Sequence, residues 1–291
     1  MTFSNRLIQW YLENKRDLPW RNTTNPYHIW LSEIILQQTR VAQGLPYYTK
    51  FIHAFPTVFD LAKASEEQVL KLWQGLGYYS RGRNLHKTAQ IIAFEHNGTF
   101  PKTYTELLKL KGIGTYTAAA IASFSQKEVV PVVDGNVFRV LARYFDVETD
   151  ISSASAKKEF TALANELIDS KQPDVFNQAV MEFGALQCVP KSPNCSMCVF
   201  NDSCAALQKK KVDLLPVKLK KTKVTERFFN YLVLEDESGR CVMQQRTAKG
   251  IWHNLYEFPL LESEKELNEK EVKEKISTTS FLTNELISLK P

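Results

Sequence analysis

The chain has 291 residues, 44% hydrophobic, 24% charged and 11% aromatic, a balance that excludes collagen-like, disordered and disulfide-scaffold classes and leaves room for about two domains. No apolar run reaches the roughly 18 residues that cross a membrane, and residues 1–16 lack the order of a secretory leader, so a cytoplasmic, reducing setting without a membrane partner is expected. The net charge of +5 is unevenly spread: residues 224–291 hold 12 acids and 9 bases and the residues before them 28 bases and 20 acids, so the larger, basic part suits an anionic partner such as DNA or RNA.

From Asn5 to Gln208 apolar residues recur every 3 to 4 positions between Gly, Pro and Asn turns, which predicts a succession of helices. Glu33 stands inside Ile29-Trp30-Leu31-Ser32-Glu33-Ile34-Ile35-Leu36, where nearly every helical face is apolar. Desolvation there raises the pKa of an acid and keeps it protonated near neutral pH. The stretches Ser65–Trp73, Arg83–Glu95, Tyr104–Leu110 and Thr115–Ser123 read as separate short helices. Trp30 and Trp73, among apolar neighbours, are expected in the core.

Leu110-Lys111-Gly112-Ile113-Gly114 connects the last two of these helices. A Gly-x-Gly turn serves as a plain connection, or it brings unpaired helix N–H groups close to a phosphate. The run Val129–Val133 reads as extended and delivers Asp134, at a position suited to a helix N-cap and to catalysis alike. A neutral acid at Glu33 with an ionised carboxylate at Asp134 is the pairing that cleavage of a glycosidic bond requires.

Four of the five cysteines, Cys188, Cys195, Cys198 and Cys204, form C-x6-C-x2-C-x5-C. In a reducing compartment this reads as metal ligation, by zinc or by an iron–sulfur cluster. Lys209–Lys223, with seven lysines and one acid, has the composition of a solvated linker. Beyond it, Phe228–Glu235 and Arg240–Gln245 flank the turn Asp236-Glu237-Ser238-Gly239 and predict a hairpin. Cys241 is expected to be a small buried apolar residue in it.

Leu-Lys-Gly-Ile-Gly-Thr-Tyr-Thr-Ala at 110–118, Val-Asp-Gly-Asn-Val-Phe-Arg-Val at 133–140 and the cysteine cluster, taken in order, strongly resemble the helix-hairpin-helix DNA glycosylases that carry a [4Fe-4S] cluster. Trp30-Leu31-Ser32-Glu33-Ile34-Ile35-Leu36-Gln37-Gln38-Thr39 and Gly75-Leu76-Gly77-Tyr78-Tyr79-Ser80-Arg81 narrow the resemblance to the MutY branch, the adenine DNA glycosylases. The likeness extends over roughly residues 5–260.

The resemblance implies a mainly α fold. Residues 1–208 would form the glycosylase region, with a six-helix domain over about 25–130 and an iron–sulfur domain made by the N-terminal helix and 131–208. After a 209–223 linker, 224–291 would form a partial α+β, MutT-like (Nudix-type) domain. It implies one [4Fe-4S] cluster on Cys188, Cys195, Cys198 and Cys204, so it turns the open metal question toward iron–sulfur.

By resemblance, Glu33 protonates an extrahelical adenine, Asp134 stabilises the sugar cation, and Asn136 orients Asp134. Tyr116 stands where bifunctional relatives carry a Schiff-base lysine, which implies a monofunctional enzyme with at most weak lyase activity. Trp20, Arg21, Leu36 and Gln178 match adenine-pocket positions. Gln38, Thr39, Leu76 and Tyr78 match positions that recognise the opposite base, with Tyr78 as the wedge, and Gly112 and Gly114 belong to the DNA-binding hairpin. The implied partner is double-stranded DNA with adenine opposite 8-oxoguanine or guanine, bound by a monomer in a bacterial-type, nucleoid-associated setting.

Gly250–Pro259 resembles the segment that marks the MutT-like domain, but no R-E-x-x-E-E run comes after it, so no pyrophosphatase chemistry is expected. The 68 residues from Val224 are about half of what that fold occupies, and the family's Phe-Ser-His loop is missing. The domain is therefore expected to be cut short: either the chain is a fragment, or discrimination is weaker and rests on Gln38, Thr39, Leu76 and Tyr78. Competing readings are an endonuclease III-like pyrimidine-lesion glycosylase/lyase, opposed by Tyr116, and a non-catalytic iron–sulfur DNA-binding protein, opposed by Glu33 and Asp134. A nucleotide-pool Nudix hydrolase is opposed by the missing signature.

Overall fold

The computed structural model describes residues 2–219, 225–248, 250 and 252–277, and the chain divides into two compact units, Met1–Lys220 and Lys221–Pro291. In the first come α1 (Phe3–Asn14), α2 (Pro26–Leu36), α3 (Val41–Ala54), α4 (Val58–Lys63), α5 (Glu66–Trp73) and α6 (Tyr79–Gln90), the last running on as a π turn to Glu95. After them come α7 (Tyr104–Leu107), α8 (Thr115–Gln126), α9 (Gly135–Phe145), α10 (Ala154–Leu167), α11 (Pro173–Leu186) and α12 (Ala205–Gln208).

Local chemistry starts many of these helices. Asn25 Oδ1 accepts the Tyr27 N–H at 2.9 Å ahead of Pro26, and Thr57 and Ser65 close capping boxes with Asp60 and Gln68. The expected Arg83–Glu95 helix begins four residues earlier, at Tyr79, because Tyr78 takes a left-handed φ of 45° and turns the chain into it. Val129–Val133, expected as an extended run, forms no strand, and Val129 lies in a bend.

Two cores lie within this unit. One gathers apolar residues from Leu18 to Val132, with α2 against α3 and α8, and α6 against α4 and α5. Trp30 and Trp73 are fully buried in it, as expected. The other joins α1 to α9 and α11 through Phe3, Leu7, Phe160, Phe176 and Phe200. Contact between α8 and α11 links the two cores, so residues on α2, α8, α9 and α11 can converge.

Residues 209–219 are not the solvated linker expected from their lysines. Leu215 is buried in the second core with Val212 and Val217 beside it. Ile151 N–H donates to Val217 O at 2.9 Å, and Arg143 Nε to Leu215 O at 3.0 Å. Lys209 pairs with Asp146 at 2.7 Å, and Lys211 with Asp146 and Glu148. Interleaved apolar residues and local acids override the composition. Residues 220–224 lie outside the described residues.

In the second unit β1 (Phe228–Tyr231) pairs antiparallel with β4 (Leu260–Ser263), and β2 (Gln244–Gln245) with β3 (Tyr256–Glu257); α13 (Glu269–Ser277) comes last. The expected hairpin survives only around its turn. Asp236 Oδ1 accepts the N–H groups of Ser238 and Arg240 at 2.9 Å each, and a single bridge joins Glu235 to Cys241. Beyond it the runs part: β1 takes β4 as its partner, with Asn230 and Tyr231 opposite Leu261 and Leu260, while Gln244 and Gln245, both exposed, pair with β3. Cys241, on this short bridge, is exposed rather than buried.

Among the described residues no helix is long and apolar enough to cross a membrane.

Candidate active site

Glu33 on α2, Tyr116 in the first turn of α8, and Asp134 and Asn136 at the start of α9 line one cavity of about 600 Å³. α2 buries eight of its eleven residues, the condition of a helix covered on all sides, and Glu33 is only 7% exposed. Burial pushes its carboxyl up to about 7, with a hydrogen bond from the Tyr116 hydroxyl pulling the other way and the nearby Asp134 charge adding to the rise. Burial and the two neighbouring carboxylates hold the Tyr116 phenol well above its ordinary range.

Asp134 caps α9, and its Oδ1 accepts the Val137 N–H at 2.8 Å while its Oδ2 accepts from Asn136 Nδ2 at 2.8 Å. Burial raises this carboxyl too, but the Val137 N–H, Asn136 and Arg139 oppose the rise. Arg139 Nη2 in turn donates to Asn136 Oδ1 at 2.9 Å and to Gly184 O at 2.6 Å. The site thus offers one carboxyl that is about half protonated at neutral pH and a second, also raised by burial, whose charged form is supplied with donors.

Trp20, Arg21, Leu36 and Gln178 line the same cavity. Trp20 packs edge-on against Tyr48 with ring centroids 5.1 Å apart, and Gln178 Oε1 accepts from the Tyr11 hydroxyl at 2.7 Å. The sequence reading missed Glu182 and Arg16. Glu182 receives Arg21 through bonds of 2.8 and 2.7 Å and Arg16 through bonds of 2.8 and 2.6 Å. Burial alone would raise its carboxyl, yet the two guanidinium groups outweigh burial and hold it down to about 2. An acid between Val180-Met181 and Phe183 repeats the signal by which Glu33 was found.

The expected recognition residues divide. Thr39 lines the main cavity, and Gln38 lines an adjoining opening of about 470 Å³ shared with Glu33, Tyr116 and Asp134. Tyr78 does not line either, but it is 65% exposed, as a wedge must be. Leu76, expected to accompany it, is 7% exposed and packed in the first core. Gly112 takes φ 77°, and a side chain there would press on Asn84, its Cβ 2.9 Å from the Asn84 Cβ, so the tight turn needs glycine. Gly114 is the N-cap of α8.

Cys188, Cys195, Cys198 and Cys204 surround a small cavity walled by Tyr144, Phe183 and Phe200. Arg143 Nη1 donates to Cys188 Sγ at 3.4 Å, and the Phe200 N–H to Cys198 Sγ at 3.4 Å. Among the described residues no group of three or more His, Cys, Asp or Glu side chains is set to hold a metal ion. The four thiols face an apolar-walled space, and two of their sulfurs receive N–H donors; thiolates so placed can ligate a metal or a cluster.

Residues 31–167 match the family model of the HhH-GPD superfamily base excision DNA repair protein. The adenine DNA glycosylase of Buchnera aphidicola subsp. Schizaphis graminum is 36% identical over 258 residues, covering 88% of this chain and 74% of that protein. The human adenine DNA glycosylase is 44% identical over 216 residues, 71% of this chain and 40% of that protein. Among solved structures, a thermostable thymine-DNA glycosylase superposes with a TM-score of 0.65 at 28% identity, over 71% of this chain and 95% of that one. A trapped endonuclease III–DNA covalent intermediate shares the fold, with a TM-score of 0.61 at 21% identity over 71% of this chain and 94% of that one. The mainly helical first unit therefore has the HhH-GPD glycosylase fold, and the chain belongs to the MutY family, the adenine DNA glycosylases of that superfamily.

Proposed function

We propose that the chain is a monofunctional DNA N-glycosylase of base excision repair that hydrolyses the N-glycosidic bond of adenine mispaired with 8-oxoguanine or guanine in double-stranded DNA. The observation that carries this reading is Glu33, buried and held at about 7, in one cavity with Tyr116 and the donor-supplied Asp134.

Adenine leaves the stack at a cost of a few kcal/mol, less from a mispair, and enters the space between Trp20, Arg21, Leu36 and Gln178. Glu33 donates its proton to a ring nitrogen, so the base departs neutral as the bond from C1′ breaks. Asp134, ionised, stabilises the positive charge left on the sugar. Water adds to C1′ and yields its proton to the Glu33 carboxylate, leaving an abasic site. Tyr116 holds Glu33 and supplies no amine, so no imine forms and the strand stays intact.

Outside the cavity, Gln38, Thr39 and Tyr78 contact the opposite base and the vacated stack, and Leu76 supports Tyr78 from the core. Backbone donors at Gly112–Gly114 receive a phosphate. Cys188, Cys195, Cys198 and Cys204 hold one [4Fe-4S] cluster, which when bound cross-links the irregular 188–204 segment. The second unit is a MutT-like domain without hydrolase chemistry. The protein works as a monomer on cytoplasmic, nucleoid DNA.

The test uses duplexes with adenine opposite 8-oxoguanine, guanine and thymine, each treated with alkali after incubation. Breaks at adenine in the first two, lost in Asp134→Asn, are expected. No breaks in the first duplex defeats the reading, and efficient cleavage without alkali defeats the monofunctional assignment in favour of a glycosylase/lyase.

A further inference from the structure

Arg81, in the first turn of α6, ties two surface loops together. Its Nη1 donates to the carbonyls of Ile34 at 3.1 Å and Ile35 at 3.3 Å, and more closely to that of Gln37. Its Nη2 donates to Leu76 O at 3.1 Å. The guanidinium lies 5.3 Å from the ring centroid of Trp73 and 5.7 Å from that of Tyr78. All four acceptors are backbone carbonyls, so the cation is spent on loop geometry. Three of them are at the C-terminal end of α2, where carbonyls lack helical partners and a cation is favoured.

The residues just beyond those carbonyls give the contact its meaning. Gln38, directly after Gln37, takes φ 57°, and Tyr78, two residues after Leu76, takes φ 45°. Both are non-glycine residues in the left-handed region, a conformation that costs on the order of 1 kcal/mol and persists only where neighbours fix it. Tyr78 and Gln38 are both exposed. One planar fork thus sets the two loop tips against each other. A lysine ammonium keeps the charge but cannot reproduce that fork.

We infer that Arg81 is a positioning residue for opposite-base specificity: it fixes the Gln37–Thr39 loop relative to the Leu76–Tyr78 loop, so that the two read the base opposite the vacated site as one unit. The inference rests on the proposed reading of those loops. It adds a determinant that touches no DNA.

The test measures binding of the full chain to duplexes carrying a tetrahydrofuran abasic analogue opposite 8-oxoguanine or guanine, which reads recognition without chemistry. Arg81→Lys and Arg81→Gln are compared with wild type, and thermal midpoints are recorded alongside. Each variant is expected to lose roughly tenfold of the preference for 8-oxoguanine, the scale of a small misplacement of contacting groups. Combined with Gln38→Ala, either change should cost less than the product of the separate effects, because both act on one unit. If Arg81→Gln does not fold, Arg81→Lys alone decides. A variant with undiminished preference, or one that weakens both duplexes equally, overturns the inference. Absence of any preference in wild type sinks the loop reading on which it stands.

Discussion

The Asn136 amide donates to Oδ2 of Asp134 at 2.8 Å, and it cannot retreat, because α11 approaches so closely that a Cβ on Gly184 would come within 2.6 Å of the Asn136 Cβ. Arg139 holds the other end of the same amide. Asp134→Asn removes the anion and is expected to lower the single-turnover excision rate about a thousandfold, on the scale of losing one aimed electrostatic contact. Asn136→Ala and Gly184→Ala, which free or displace the amide, should each cost roughly tenfold to a hundredfold. Excision unchanged in both would show that Asp134 needs no orienting partner.

On the proposed mechanism Glu33 must be protonated to act, so with its carboxyl near 7 the single-turnover rate should be level below that pH and fall about tenfold per unit well above it. The same shift has a stability consequence. A carboxyl raised from 4.5 to about 7 binds more proton folded than unfolded, so its contribution to stability falls as pH rises through that window. Glu33→Gln is therefore expected to be inactive yet more stable than wild type at pH 8, by roughly 2 to 3 kcal/mol in denaturant unfolding. A variant no more stable at pH 8 than at pH 5, relative to wild type, contradicts the buried-acid account.

Glu33 and Asp134 were legible in the sequence for different reasons. Glu33 breaks an apolar helix pattern, and Asp134 occupies a cap after an extended run; both are local signals. That they meet across one cavity depends on α2 and α8 of one core facing α9 and α11 of the other, and only the ordered motifs of a family resemblance conveyed that. Glu182 carried the same local signal as Glu33, but its partners Arg16 and Arg21 lie more than 160 residues away, so nothing nearby marked it. Composition misled at 209–219, where lysines that suggested a linker alternate with Leu215 and Val217 packed in a core. The hairpin at 236–239 was legible as a turn, whereas the choice of β4 as partner for β1 is a long-range pairing.

The Glu182 carboxylate is almost wholly buried beneath Arg16 and Arg21. Glu182→Ala leaves two cations beside the Glu33 cavity without their anion. The expected loss is about 3 kcal/mol, at the lower end for a broken buried pair because Arg16 is partly exposed. Since the Glu182 carboxyl is held down to about 2, its stabilising contribution is present above its ordinary pKa of 4.5 and lost as pH falls toward 2. Acid unfolding should therefore shift less with pH in Glu182→Gln than in wild type. An identical pH dependence in the two proteins would mean that the clamp does not form.

Between α11 and α12 the chain forms turns but no regular element, and few apolar anchors hold it. Phe200 is buried against Phe3 and Phe183, Arg143 takes the carbonyls of Val189 and Pro190 at 2.7 and 2.9 Å, and Arg6 bonds to Val199 O. A group bridging Cys188, Cys195, Cys198 and Cys204 would bind the folded segment and not the unfolded one, so it would stabilise the fold by linkage. Cys198→Ser is expected to lose iron, sulfide and visible absorbance, to lower the thermal midpoint, and to open residues 188–204 to protease, while the separate Glu33 cavity keeps its pH response in whatever activity remains. Iron and sulfide content equal to wild type, or zinc in place of iron in the wild type, would overturn the assignment of the four thiols to a [4Fe-4S] cluster.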